Sequence, residues 1–288
     1  MIIATKQQVI AKLMELAENS NYVYRGFSQH SQMIPRIIQS RKGKYEKAIL
    51  DDFEKYAFQY SNTNNLIGFL SNAQHYGLPT RLLDFTHNPL IALYFALYDE
   101  KPGGRKADKL SEQENEFYFL RCCDLNKQMS IKGFPSERRV VENGYFELDS
   151  YANMIAKAFS DIERLCDKKT DLAYKRDYLL AAAAQPNRVE SDNMTVVSGI
   201  RDDYLLFVDP DFTNQRIHMQ QGLFFVAPEL KESRIKELME NNTELLCIPV
   251  GLRKELLSFL DGIGINNYRL MPDLPSIIGE IKRKYRIG

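Results

Sequence analysis

Residues 72–96 read NAQHYGLPTRLLDFTHNPLIALYFA and place several chemically reactive side chains directly before an apolar segment. His75, Arg81, Asp84 and Thr86 fall close together in this stretch. Charged and imidazole groups are costly to bury unless they are paired, so packing alone does not favour such a combination. We therefore interpret the stretch as part of a site.

A buried helix is predicted to begin directly after this polar cluster. Asn88 is a good N-cap and Pro89 loses no hydrogen bond in a first helical turn. The run LIALYFALY (90–98) leaves almost no polar face, so the helix is expected to be central. Free N–H groups and the macrodipole at such a helix N-terminus favour anions.

Apolar periodicity predicts further helices and strands around this centre. Helices are predicted near residues 9–17, 45–60, 66–73, 147–167, 230–241 and 252–261, and at the C-terminal stretch IIGEIKRKYR. Strands are predicted at residues 22–24, 117–120, 205–208, 223–226 and 245–250. The pattern predicts a single α+β domain over residues 1–288. Its parts are a motif-bearing half (20–100), a mainly helical insertion (123–200) and a C-terminal half (203–288).

The composition is that of a globular chain without a strong net charge. The 288 residues are 44% hydrophobic, and Lys+Arg and Asp+Glu each total 38, so there is no net field of the kind that nonspecific nucleic-acid or membrane binding needs. The first twenty residues are too charged for a signal peptide, and no run approaches the ~18 apolar residues of a membrane span. Without CxxC pairs or Cys/His clusters, we expect no metal. We therefore predict a cytoplasmic protein that neither binds membranes nor holds a metal.

Four segments together resemble the FRG-domain family, which is named for an aromatic-Arg-Gly motif. They are YRG (24–26), QHYGLPTRLLDFTHNPLIALYFA (74–96), NQRIHMQQGLFF (214–225) and GINNYRLMPDLPSI (264–277). The resemblance spans most of the chain and implies a bacterial-type FRG-domain protein.

A second, weaker resemblance is to ADP-ribosyltransferases of the arginine, serine, glutamate class. Tyr24-Arg25-Gly26 is similar to their first motif, Asp84-Phe85-Thr86 to the second, and Gln220-Gln221 lies where the third would be. This resemblance implies an ADP-ribosyltransferase-like mixed sheet core, flanked by helices and carrying the helical insertion. Glutamine replaces the family's glutamate, which keeps a hydrogen bond and loses a charge.

The resemblance also implies which residues would act in catalysis, with NAD as the substrate. Thr86 would orient the nicotinamide ribose, Gln220 or Gln221 would bond its 2′-hydroxyl, and Asp84 would offer negative charge near the anomeric carbon. His75 is a candidate general acid or base, or a buried imidazole bonded to a backbone carbonyl. The acceptor of an ADP-ribosyl group would be protein, nucleic acid or water.

Binding of the nucleotide would rest on a second group of residues. Arg25 is expected to anchor the phosphates, because a planar five-donor fork suits them, and Gly26 would allow close backbone approach. Arg81, Arg216 and Thr86 are further binding candidates. Two structural alternatives stay open: Arg81 pairing with Asp84 to fix a turn between two helices, and Gln220-Gln221-Gly222 forming a β-bulge.

The leading hypothesis is therefore an ADP-ribosyltransferase-like or NAD-consuming effector of the toxin or antiphage-defence kind. A noncatalytic sensor that binds a nucleotide in the same pocket is the alternative. A hydrolase that uses His75 and Asp84 on a phosphoester or glycosidic bond is a third hypothesis. The oligomeric state is left open.

Overall fold

The computed structural model describes residues 1–18, 21–28, 30–57, 66–98, 116–125, 128–132, 205–210, 215–227 and 230–285. Within these residues, seven strands form one sheet. The strands are β1 (Tyr22–Phe27), β2 (Leu82–Thr86), β3 (Phe117–Asp124), β4 (Met129–Lys132), β5 (Leu206–Asp209), β6 (Gly222–Val226) and β7 (Glu244–Pro249).

Helices precede, separate and follow these strands. They are α1 (Lys6–Ala17), α2 (Arg36–Gln39), α3 (Glu46–Ala57), α4 (Leu66–His75), α5 (Pro89–Tyr98), α6 (Gln215–Met219), α7 (Glu232–Asn242), α8 (Arg253–Gly262), α9 (Asn267–Leu270) and α10 (Leu274–Tyr285). Short 3-10 turns occur at His30–Met33, Gly43–Tyr45 and Val250–Leu252. Among the helices that the structure describes, none is both long and apolar enough to span a bilayer.

The sheet is mixed, which confirms the predicted α+β class. Its strand order is β4-β5-β6-β2-β1-β3-β7. Six strands run antiparallel to their neighbours, and β4 is added at one edge, parallel to β5. The ADP-ribosyltransferase-like character of this core stays a prediction.

The two central strands, β1 and β2, barely pair with each other. β1 pairs with β3 along its full length, and β2 does the same with β6. Between the described residues of β1 and β2, the ladder consists of one pair, Tyr24 opposite Thr86. The sheet is therefore two well-paired halves joined at one point, and beyond that point the facing edges of both strands are open.

Apolar side chains cover both faces of the sheet. One core cluster lies under α1, α5 and α8 and contains Tyr24, Leu93 and Leu256. The other lies under α2 and α7 and contains Ile37 and Ile235. Alternation along β1 sends Tyr22 and Tyr24 to the first cluster and Val23 and Phe27 to the second, as the period of two in a strand requires.

Asn88 caps α5 as the sequence predicts. Its Oδ1 accepts hydrogen bonds from the backbone N–H groups of Leu90 (3.0 Å) and Ile91 (3.3 Å). We expect Asn88→Ala to lower the free energy of unfolding by about 1 kcal/mol, because those N–H groups lose their acceptor. Urea denaturation measures the loss, and Asn88→Ser is the control, because serine also caps well. An Asn88→Ala variant as stable as the wild type would show that the cap contributes nothing.

The structure corrects one prediction and adds two short elements that the sequence did not predict. The polar residues before α5 do not form a turn between two helices, because residues 82–86 are strand β2, buried on both sides of Asp84. The segment 214–222 contains helix α6. Residues 129–132 in the predicted helical insertion form strand β4. All three elements are only four or five residues long, which is too short for apolar periodicity to identify a helix or a strand.

Most other predicted elements are confirmed where the structure describes them. The predicted helix near residues 45–60 is α3, and its last predicted residues fall outside the described part. The predicted helix at 147–167 and nearly all of the proposed insertion, from residue 133 to 200, also lie outside it. The division of the chain into three parts stays a prediction.

Candidate functional site

A cavity of about 560 Å³ lies where β1 and β2 separate. That volume falls in the range of about 300–1,000 Å³ typical of small-molecule sites. Three arginines line it, Arg25, Arg36 and Arg216, together with His75. Asp84 is the single carboxylate among the described lining residues, so cationic side chains outnumber anionic ones.

Backbone and neutral side chains complete the walls of the cavity. Both central strands contribute, and so do the start of α5, the end of α4 and the α6–β6 connection. These further lining residues are Tyr24, Gly26, Gln32, Gln39, Ser71, Gln74, Gly77, Leu82, Leu83, Phe85, Thr86, Ala92, Phe95, Tyr98, Ile217, Gln220, Phe224 and Met271.

Arg25 bridges the gap between the two halves of the sheet. Its Nε and Nη2 donate to the carbonyl oxygen of Gln32 at 3.1 and 2.8 Å, and its Nη1 donates to the carbonyl oxygen of Asp84 on β2. The guanidinium therefore takes over hydrogen bonding that a β1–β2 ladder would otherwise supply to that carbonyl. Two of its five N–H groups have no acceptor among the described residues.

Arg25 keeps its positive charge in this setting. Burial lowers its pKa to about 10, the nearby Asp84 carboxylate acts in the opposite direction, and Arg36 adds to the lowering. At that pKa the guanidinium is still protonated at neutral pH. Arg25 and Arg36 thus place two positive charges near one carboxylate.

Asp84 is the exposed member of an otherwise buried strand, and its carboxylate faces the cavity. Gln74 Nε2 donates to Oδ1 at 2.8 Å, and Gln74 Oε1 in turn accepts from the hydroxyl of Thr80 at 2.6 Å. This chain fixes one carboxylate oxygen. The other, Oδ2, has no hydrogen-bond donor among the described residues and is available to a ligand.

Thr86 and Gln220 are tied to each other and to neighbouring backbone. The Thr86 hydroxyl donates to the Gln220 carbonyl oxygen at 2.7 Å and accepts from the Asn88 N–H at 3.0 Å. Gln220 Nε2 donates to the Leu270 carbonyl at 2.9 Å. The hydroxyl proton and the amide nitrogen are therefore engaged, and each side chain can offer a ligand mainly an oxygen acceptor.

Arg36 and Arg216 are the cavity arginines with uncommitted guanidinium groups. Neither side chain makes a hydrogen bond to another residue of the described part of the chain. Arg36 is exposed at the start of α2, and Arg216 is half-buried in α6. Asp273 is an electrostatic neighbour of Arg216, but that carboxylate already caps α10 through the Ser276 N–H at 2.9 Å.

Arg81, a predicted binding residue, lies outside the cavity. It is fully buried, and its Nε and Nη2 donate to both carboxylate oxygens of Glu46, which is 2% exposed. Its Nη1 also donates to the carbonyl of Ala227. The alternative of an Arg81–Asp84 ion pair is wrong, because the partner comes from α3, far away in the sequence.

The remaining predicted residues divide between the cavity and the surface. Gly26 and His75 line the cavity, and the His75 ring is exposed with an edge contact to Tyr76. Gln221 does not line the cavity. Its backbone is in the left-handed region (φ 46°), and its carbonyl accepts from the His87 N–H at 3.0 Å.

Arg36 lines the cavity although it was not predicted as a site residue. The signal was present in PRIIQS (35–40), where a proline can start a helix and two isoleucines face inward, which leaves the arginine outside. In the described part of the chain, the cavity thus brings together Arg25, Asp84, Thr86 and Gln220 as predicted, and adds Arg36.

Comparison with known proteins identifies one related family. The family model described as the FRG domain matches residues 20–104. No curated protein and no solved structure matches the chain. The matched range contains β1, β2 and the arginines at 25 and 36, whereas Arg216 and Gln220 on the other wall of the cavity lie outside it.

Proposed function

The chain carries an FRG domain at residues 20–104, and from that premise we propose that its cavity binds an anionic nucleotide, with NAD as the ligand. The observation that carries this proposal is the charge of the lining, where Arg25, Arg36 and Arg216 face a single carboxylate, Asp84. Guanidinium groups bind phosphate oxygens through two parallel N–H donors, and a cleft of this sign attracts anions.

We further propose that Asp84 supports ADP-ribosyl transfer or NAD hydrolysis. The bond from C1′ of the nicotinamide ribose to the nicotinamide nitrogen breaks, and nicotinamide leaves with the electron pair. The free Oδ2 of Asp84 would stabilise the oxocarbenium-like charge at C1′. The acceptor then forms the new bond at C1′ and loses its proton. With water as the acceptor, the products are ADP-ribose, nicotinamide and a proton.

Such an enzyme would consume NAD inside a cell. Following the resemblance, we propose that the protein is an effector of the toxin or antiphage-defence kind. Protein and nucleic-acid acceptors are compatible with the same chemistry.

A noncatalytic nucleotide sensor is the second candidate, and one observation favours it. Thr86 and Gln220, which the resemblance places on the nicotinamide ribose, donate their hydrogen bonds to backbone carbonyls. They are poor donors to a ribose in this arrangement. A pocket of this kind can hold the nucleotide without speeding the departure of nicotinamide.

Release of nicotinamide from NAD separates the two candidates. The purified full chain is incubated with NAD, and free nicotinamide is quantified by chromatography. For an enzyme we expect Asp84→Asn to lower the rate about tenfold to a hundredfold, because a charged stabilising contact becomes a neutral one. Asparagine keeps the Oδ1 that accepts from Gln74.

Asp52→Asn on the exposed side of α3 is the matched control and should release nicotinamide at the wild-type rate. No release together with an NAD-dependent rise in melting temperature would favour the sensor. If NAD causes no release of nicotinamide and no shift in melting temperature, then NAD is not the ligand.

A further inference from the structure

We propose that Arg36 and Arg216 form the phosphate clamp of the cavity, and that Arg25 of the aromatic-Arg-Gly motif is a positioning residue. This inference deepens the proposed function and rests on it for the identity of the ligand. It reverses the role that the resemblance gives to Arg25.

Arg25 is engaged by the protein itself. Three of its N–H groups donate to the backbone carbonyls of Gln32 and Asp84. The first carbonyl belongs to the 3-10 turn that leads towards α2, and the second belongs to β2. Arg25 therefore holds the separated strands and the turn at fixed positions. A phosphate that took these donors would leave both carbonyls unsatisfied, which is unfavourable in a partly buried site.

Arg36 and Arg216 have the opposite character. Both line the cavity, and neither guanidinium is hydrogen-bonded within the described part of the chain. Each retains its full five-donor fork, the geometry that matches a phosphate in a bidentate manner. They line the same cavity from two different helices, α2 and α6, and under this proposal they contact different oxygens of one pyrophosphate.

The charge of the surroundings points to the same assignment. Arg36 lies close enough to Arg25 to help lower the pKa of Arg25, after the larger effect of burial. Asp273, the acid near Arg216, accepts from Ser276 at the start of α10. A bound dianion would relieve the repulsion between the cationic groups.

Titration calorimetry on the full chain tests the assignment with three probes. ADP-ribose carries the pyrophosphate, adenosine lacks it, and inorganic pyrophosphate is the clamp ligand alone. We expect Arg36→Gln and Arg216→Gln each to weaken ADP-ribose and pyrophosphate binding about tenfold or more, because a charge-assisted contact is lost. Adenosine binding should be unchanged. Arg234→Gln on α7, at an arginine that does not line the cavity, is the matched control and should bind all probes like the wild type.

Arg25→Lys tests the other half of the inference. Lysine keeps the charge and cannot satisfy two separate carbonyls as the fork does. We expect this variant to melt at a lower temperature than Arg36→Gln, and its folded fraction to retain pyrophosphate binding within about threefold of wild type. The clamp would be overturned if Arg36→Gln and Arg216→Gln bound pyrophosphate like the wild type. It would also be overturned if, among the three variants, only folded Arg25→Lys lost pyrophosphate binding.

The outcomes also distinguish failure of the clamp from failure of the proposed ligand. Pyrophosphate binding that depends on Arg36 and Arg216, without binding of ADP-ribose or NAD, would support the clamp and reject the nucleotide. ADP-ribose binding that is unchanged in Arg36→Gln and Arg216→Gln would support the nucleotide ligand and reject the clamp. A wild-type chain that binds none of the three probes would overturn both.

Discussion

Replacing Glu46 with glutamine is expected to lower the free energy of unfolding by about 3–5 kcal/mol, the cost of removing one partner of a buried ion pair. Arg81 is fully buried, Glu46 is 2% exposed, and the guanidinium contacts both carboxylate oxygens. Glutamine has nearly the same shape as glutamate, so the change isolates the charge. The buried guanidinium of Arg81 would lose the carboxylate of Glu46.

Urea denaturation of the full chain measures this effect, and two further variants serve as controls. Glu237→Gln removes the partner of Arg234 from an exposed pair, and such a change should cost less than about 1 kcal/mol. The double variant Glu46→Leu/Arg81→Met removes both buried charges and should regain most of the loss, because an apolar pair of similar volume needs no compensation. Single and double variants of equal stability would contradict a coupled pair.

The ion pair matters for the cavity because of its place in the fold. Arg81 directly precedes β2, and its carbonyl accepts from the Ala227 N–H just after β6. Glu46 is the first residue of α3. The pair thus fixes one end of the strand that carries Asp84 and Thr86. Loss of Glu46 is expected to disturb the cavity even though Arg81 does not line it.

Local sequence patterns were sufficient to predict the larger elements. The apolar run after Asn88-Pro89 predicted α5, and the short apolar runs at 117–120 and 223–226 predicted β3 and β6. Periodicity over ten or so residues, together with a cap, is a local property and can be recognised without knowing the fold. Strand β2 was not predicted, because its five residues are interrupted by Asp84 and flanked by polar groups, a pattern that resembles a loop.

Partners that are distant in sequence were harder to predict. Arg81 and Asp84 are neighbours along the chain, yet Arg81 pairs with Glu46 on helix α3. Thr86 and Gln220 meet through a backbone carbonyl across paired strands. Neither arrangement follows from periodicity, because each depends on strand order and register. The resemblance to known families did predict that Arg25 and Gln220 would meet at one cavity, since it carries tertiary information that local patterns lack.

The aromatic-Arg-Gly motif has a structural explanation at each of its three positions. Tyr24 is 1% exposed in the core under α5, and Arg25 bridges β1 and β2. Gly26 is where α5 contacts the sheet, because a Cβ at this position would lie 1.7 Å from the Ala92 carbonyl oxygen. The motif therefore shapes the cavity. The cavity guanidinium groups without hydrogen bonds in the described part of the chain belong to Arg36 and Arg216, which are not part of the motif.

Gly26→Ala is accordingly expected to destabilise the protein by about 3 kcal/mol or more, at the upper end of the cost of overpacking. The added methyl group would meet backbone atoms of α5, the Ala92 carbonyl and the Ala96 nitrogen at 2.7 Å, which cannot rotate away. The helix would have to move off the sheet. Because Ala92 and Phe95 line the cavity, the same shift should weaken ADP-ribose binding in the molecules that stay folded.

Gly279→Ala is the matched control, since it makes the same chemical change in α10 at a position where a Cβ meets no other atom within 4 Å. Alanine in an exposed helix is favoured over glycine, so this variant should be more stable than the wild type by about 0.5–1 kcal/mol. Urea denaturation of both variants gives the comparison. A Gly26→Ala protein as stable as Gly279→Ala would mean that α5 does not press on β1, and the structural explanation of the motif glycine would fail with it.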